Sequence, residues 1–277
     1  MRGSKIKSDG SGHLACSTWA QKKGMKDKVI KIEEAENGGG TSVFDPVLCE
    51  IVYRWFCTGR GSVLDPFAGG SVRGVVAGVL GHPYTGIDLR ADQIEANEKQ
   101  ADTIKPEVKP KWITGNSEKI SELAPGQYDL VFSCPPYYDL EIYSDSPGDL
   151  SALGTYEEFI TTYRNIIAQC CGMLKPNRFA CFVVGDIRDK KGFYRGFVGD
   201  TIRAFEDAGC QFYNEGILVN VIGSLPIRIT KQFEYRKLGK CHQNVLVFFK
   251  GDPKKIKEEF GTVQIPDEAF NTRMGGE

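Results

Sequence analysis

Histidine is scarce in this chain: 277 residues hold three, His13, His82 and His242. None stands at metal-ligand spacing from a cysteine, so no metal is expected. Long apolar runs are missing too. No stretch reaches the ~18–20 residues that cross a bilayer, and the opening Met1-Arg2-Gly3-Ser4-Lys5 lacks the apolar segment of a secretory signal. The expectation is a soluble, cytoplasmic protein with no membrane partner. Net charge is nearly absent as well: 35 Lys+Arg against 36 Asp+Glu give −1, which argues against a polyanionic partner unless the cations are clustered. Cysteine is the exception, with nine. The number is odd and Cys57, Cys170, Cys171 and Cys181 lie in apolar segments, which reads as buried free thiols rather than a disulfide framework.

At 41% hydrophobic and 26% charged the chain is that of a folded globular protein. At ~150 residues per domain it has room for one large or two small domains. Residues 1–41 are polar, rich in Gly, Ser and Lys, and are expected to form a flexible arm. At Asp45-Pro46 the character changes. Asp45 can cap a helix, Pro46 suits its first position, and Val47, Leu48, Ile51, Val52, Trp55 and Phe56 follow at helical spacing. Strands are expected at 62–65, 84–88, 111–114, 128–133, 179–185, 212–222 and 244–249. Helices are expected at 72–80, 91–103, 156–174 and 197–208. This alternation predicts an α/β protein whose sheet is mainly parallel, with helices on both faces and the last two strands antiparallel. Residues 251–277 read as a surface tail.

Two motifs carry chemistry. Asp65-Pro66-Phe67-Ala68-Gly69-Gly70-Ser71 lies between a strand and a helix, where glycines let backbone approach a ligand. Asp88 ends the next strand 23 residues later, near the ~20-residue distance at which a carboxylate reaches ribose hydroxyls. The spacing fits neither G-x-G-x-x-G nor G-x-x-x-x-G-K-[ST], which favours an adenosine-bearing ligand without a pyrophosphate. Ser133-Cys134-Pro135-Pro136-Tyr137-Tyr138 ends the fourth strand. Two prolines stiffen the turn and remove two N–H donors, leaving carbonyl acceptors beside the flat face of Tyr137, a suitable holder for a planar base and its amino group.

Together these motifs resemble the S-adenosylmethionine-dependent DNA amino-methyltransferases, which methylate the exocyclic nitrogen of cytosine or adenine. Asp65-Pro66-Phe67-Ala68-Gly69-Gly70 is similar to their cofactor motif and Ser133-Cys134-Pro135-Pro136-Tyr137 to their Pro-Pro-Tyr motif. Thr41-Ser42-Val43-Phe44-Asp45-Pro46 is similar to the segment that packs on the methionine end of the cofactor. The match covers about residues 42–250. The wording around Cys134 to Glu141 and the ending Val247 to Asp252 further resemble phage and prophage methylases.

The resemblance implies a Rossmann-like seven-stranded methyltransferase sheet with its last strand antiparallel, in one catalytic domain over 42–250. It also implies S-adenosylmethionine as cofactor. Phe44, Asp45 and Asp65 to Gly70 would hold its amino-acid portion, Asp88 with Leu89 its ribose, and Asn116 or Ser117 its adenine edge. Ser133, Cys134, Pro135, Pro136 and Tyr137 would be catalytic. Cys134 departs from the Asp, Asn or Ser usual before Pro-Pro. A thiol is a poor acceptor, so Ser133 or the carbonyl of Pro135 is expected to compensate.

The neutral total hides two basic loops interleaved with aromatics. Arg188, Lys190, Lys191 and Arg195 follow the fifth strand; Arg228, Lys231, Arg236 and Lys237 follow the sixth. With Tyr138 they are the expected contacts to double-stranded DNA around a flipped base. Cytosine N4 is the favoured target. Adenine N6, RNA, another amine or amide, and a binding module without turnover stand as alternatives, and the choice between monomer and homodimer is open.

Overall fold

Successive side chains of a strand face opposite ways, and here both faces are apolar. In β4 (Tyr128–Ser133) Leu130 and Phe132 pack to one side and Val131 to the other. In β5 (Leu174–Val184) Phe179, Cys181 and Val183 oppose Ala180, Phe182 and Val184. In β7 (His242–Lys250) Val245, Val247 and Phe249 oppose Leu246 and Phe248. Such strands belong in the middle of a sheet covered on both sides.

The computed structural model describes residues 44–138, 148–219, 229 and 232–261. The expected arm, Arg228 and Lys231 lie outside the described residues. The remaining strands are β1 (Val63–Asp65), β2 (Tyr84–Asp88), β3 (Lys111–Thr114) and β6 (Gln211–Val219). They form one seven-stranded sheet in the order β3-β2-β1-β4-β5-β7-β6. β1 to β5 pair parallel, and β7 runs antiparallel to both β5 and β6. The expected methyltransferase-type sheet is present.

The helices are α1 (Pro46–Phe56), α2 (Val72–Val79), α3 (Ala91–Ile104), α4 (Ile120–Leu123), α5 (Tyr156–Met173), α6 (Phe197–Asp207) and α7 (Ile256–Phe260). α1 starts as expected: the Asp45 carboxylate accepts from the amides of Val47 and Leu48, with Pro46 at the first position. α5 starts with a capping box between Thr155 and Glu158. Cys49, Val52, Val76 and Ile94 bring α1, α2 and α3 to one sheet face, and Phe159, Ile166, Phe197 and Phe205 bring α5 and α6 to the other. A buried Val, Leu, Ile or Phe contributes roughly 1.5–3 kcal/mol, so these two layers hold the sheet rigid.

Three limits differ from expectation. β5 begins at Leu174 rather than 179, because Leu174 pairs with Tyr128 across a register shift in β4. The polar stretch after β3 contains a 3-10 turn (Ser117–Lys119) and α4, capped by the Asn116 side chain on the Glu118 amide. Beyond β7, the described part of the expected tail, residues 251–261, contains α7, with the Phe260 ring 5.0 Å from Phe179 and Glu259 bonded to Arg178 at 2.8 Å. The eight described cysteines form no disulfide, and Cys57, Cys170, Cys171 and Cys181 are buried.

His82, buried at the turn into β2, has Nδ1 3.0 Å from the Gly61 carbonyl, so the neutral ring donates there. Burial lowers its pKa below the ordinary 6.5. Protonation is therefore harder in the folded than in the unfolded chain. Stability is full above about pH 6.5 and falls as the pH drops through that value. Urea denaturation between pH 7.5 and 5.5 should show this loss in the parent chain, and His82→Asn should flatten it.

Candidate active site

The sheet order reverses between β1 and β4. From β1 the chain builds outward through β2 and β3; from β4 it builds the other way. The crevice at the carboxyl ends of two such strands is where open α/β sheets bind ligands. The glycine motif leaves β1 there, and the Pro-Pro-Tyr motif leaves β4 there, with Leu64 and Val131 in register.

Asp65 lies beneath this crevice rather than lining it. Its carboxylate is fully buried. Oδ1 accepts from the Ser133 hydroxyl at 2.6 Å and the Phe67 amide at 3.1 Å; Oδ2 accepts from Arg73 Nε and the Tyr84 hydroxyl, each at 2.7 Å. Arg73 also donates to the carbonyls of Phe67 at 2.6 Å and Ala68 at 3.0 Å, and its guanidinium sits 4.7 Å over the Phe44 ring. Burial disfavours the Arg73 charge, yet Asp65, with smaller contributions from Tyr84 and Cys134, more than offsets it and raises the Arg73 pKa.

Two expected roles change accordingly. Asp65, expected to cradle a cofactor, holds the cradle from below. Ser133, expected to accept from a target amine, is fully buried with its hydroxyl donated to Asp65. Arg73 was not singled out. Its signal was there: a lone charge inside the apolar run Val72-Arg73-Gly74-Val75-Val76-Ala77.

Above Asp65 the loop is bare. Gly69 has φ of +49°, a conformation glycine adopts without strain, and a Cβ at Gly69 or Gly70 would meet nothing within 4 Å. The Gly69 amide donates to Asp88 Oδ2 at 2.9 Å, and its carbonyl accepts from Asn97 Nδ2 at 2.8 Å. The other Asp88 oxygen accepts from the Arg90 amide at 2.9 Å. Burial raises the Asp88 pKa, with the two amides opposing. A carboxylate has about four lone-pair positions, so two remain for ligand hydroxyls. Half-buried Leu89 follows.

Pro66 and Ala68 are buried, Phe67 is half-buried and stacks 6.2 Å from Tyr163, and the Ser117 hydroxyl donates to the Pro66 carbonyl. Asn116 caps the turn beside it. Asp88 and Asn97 thus bond directly to the bare glycine loop, and Ser117 to the Pro66 carbonyl before it, while Asp45 acts as a helix cap.

The second motif straddles the sheet. Half-buried Cys134 packs on the α1 face, while Tyr137 packs on the α6 face with its ring 6.1 Å from Phe197. Pro135 is buried; Pro136 and Tyr137 are half-buried. Gln243 Nε2 donates to the Tyr137 hydroxyl at 2.6 Å. Burial, then the neighbouring Cys134, pushes the Tyr137 pKa up, so the hydroxyl stays protonated. Gln243 was not anticipated, since it stands 106 residues away in sequence.

Tyr138 corrects another expectation. Its φ is +37°, which turns the ring back into the core. It is 6% exposed, its hydroxyl donates to the Gly154 carbonyl at 3.2 Å, and Arg195 covers it at 5.0 Å. Neither it nor Arg195 projects freely toward a partner.

The two basic loops come together. Arg188 and Tyr194 bridge a hairpin after β5, and the hairpin tip meets the segment before β7. Gly192, at φ of +93°, admits the Lys237 side chain where any Cβ would collide. Arg188, Lys191, Arg236 and Lys237 share the resulting groove of about 530 Å³, and exposed Lys190 stands at the hairpin's edge. Among the described residues no group of His, Cys, Asp or Glu is placed to hold a metal ion, and no helix is long and apolar enough to cross a membrane.

Solved structures with this arrangement of strands and helices include a methyltransferase. A methyltransferase from Pyrococcus furiosus aligns with a TM-score of 0.50 at 16% identity, over 85% of this chain and 100% of that one. This chain has their fold. TrmN from Thermus thermophilus aligns with a TM-score of 0.50 at 14% identity, over 75% of this chain. The alignment spans 49% of the TrmN chain, about half its length. No protein-family model and no curated protein sequence matches.

Removing one member of a buried ion pair costs about 3–5 kcal/mol. Arg73→Met should destabilise by that amount in chemical denaturation. Adding Asp65→Asn should cost much less than the sum of the two single changes, because the second removes a charge the first left unpaired.

Proposed function

We propose that this chain is an S-adenosylmethionine-dependent methyltransferase acting on the exocyclic amino group of a DNA base, cytosine N4 foremost, turned out of the duplex. The carrying observation is the hydrogen bond from Ser133 to Asp65, which ties the Pro-Pro-Tyr turn to the glycine loop. The fold of the methyltransferase neighbours and the bare glycine surface beside Asp88 support the same reading.

Gly69 and Gly70 would hold the amino-acid end of the cofactor, with Phe44 nearby. Asp88 and Leu89 would take its ribose, and Asn116 and Ser117 its adenine edge. Bound there, S-adenosylmethionine supplies an electrophilic sulfonium methyl. The chain's own part is orientation. Tyr137 would offer the exposed part of its ring for stacking, and Gln243 and Phe197 fix its plane. Cys134 is a weak acceptor and the Ser133 hydroxyl already donates to Asp65, so the backbone carbonyl of Pro135 is left to accept from the base amine. That bond draws the amine out of conjugation and raises its lone-pair density toward the methyl. The cytoplasm of a bacterial or phage-infected cell suits these substrates.

Nucleoside mass spectrometry of DNA incubated with the protein and cofactor should show N4-methylcytosine. Tyr137→Ala should cut that product about 100-fold with calorimetric cofactor affinity within about 3-fold, as expected when orientation alone is lost. Undiminished product in the variant, or cofactor binding with no methylated base in any DNA, would overturn the reading. N6-methyladenine in place of N4-methylcytosine would move the target base.

A further inference from the structure

We propose that the groove between the β5 hairpin and the segment before β7 holds an unpaired stretch of the strand that carries the target base, rather than the backbone of intact duplex. This rests on the nucleic-acid reading of the Proposed function.

The groove combines two chemistries. Arg188, Arg236 and Lys237 supply cations, and Phe193, Tyr194 and Tyr235 supply rings that are 71%, 48% and 74% exposed. Cations alone suffice for duplex, which shows phosphates outward and covers its base faces by internal stacking. Exposed rings gain little from such a surface unless base pairs are unstacked at a cost. An unpaired strand offers both partners, phosphates for the cations and base faces for the rings.

The rings and cations are already paired. The Arg188 guanidinium lies 3.7 Å over Tyr194, and Lys237 Nζ stands 5.9 Å over Tyr235. Each pair can therefore meet one nucleotide at its base and its phosphate. The volume, about 530 Å³, falls within the ~300–1,000 Å³ of clefts that take a single small ligand. The same hairpin continues into Arg195, which packs on Tyr138, the neighbour of Tyr137. A strand in the groove is thus linked to the turn that would hold its flipped base.

Fluorescence anisotropy with a labelled 12-mer, its blunt duplex and its RNA counterpart tests this. The full chain should bind the single-stranded DNA about 10-fold more tightly than the duplex. Phe193→Ala and Tyr235→Ala should each weaken single-strand binding about 10-fold while duplex binding changes less than about 2-fold, as loss of one stacked base predicts. Equal loss on both forms, or no loss on either, would overturn the groove assignment. Product analysis on the same oligonucleotides separates the two readings. Ring-dependent binding without methylated base leaves the groove standing and removes the DNA methylation reading. Methylated duplex with unaffected ring variants does the reverse. Tighter RNA binding with the same ring dependence supports the groove and changes the sugar.

Discussion

One buried carboxylate sets the geometry of the whole crevice. Asp65 ends β1, and its four hydrogen bonds reach the loop that follows it, α2 through Arg73, β2 through Tyr84 and β4 through Ser133. Taking two charges out of water costs several kcal/mol for each ion, and a well-packed apolar pair is often as stable. What the carboxylate provides is register. It fixes the strand ends from which the glycine loop and the Pro-Pro-Tyr turn depart, and Arg73 carries the constraint on to the loop carbonyls and to Phe44.

Around that point the fold divides labour by sheet face. The α1 and α2 layer supplies Arg73, the cap at Asp45 and the packing surface for Cys134. The α5 and α6 layer supplies Phe197 for Tyr137 and a core seat for Tyr138. Cys134 and Tyr137, three residues apart in one turn, are therefore anchored on opposite sides of the sheet.

Much of this was legible in the sequence because it depends on local spacing. Strand and helix periods, the cap at Asp45 and the two motifs are each contained in short windows, and the topology rule then brings the motifs to one crevice. What could not be read was which way a side chain turns. Asp65 and Ser133 face each other under the loop; Tyr138 reverses into the core at a positive φ. Nor could long-range partners be found: Gln243 meets Tyr137 only because β7 inserts between β5 and β6. The net charge of −1 concealed a clustering of cations that appears only when two loops distant in sequence meet.

The Asp65–Ser133 bond joins the base of the Pro-Pro-Tyr turn to the start of the glycine loop. Single-turnover methyl transfer by Ser133→Ala, at saturating S-adenosylmethionine and DNA, tests its positioning role most directly. The rate should fall about 10- to 100-fold below the parent with cofactor affinity within about 3-fold, the cost expected of a reacting centre displaced by about an ångström. A parent-like rate in Ser133→Ala would contradict it.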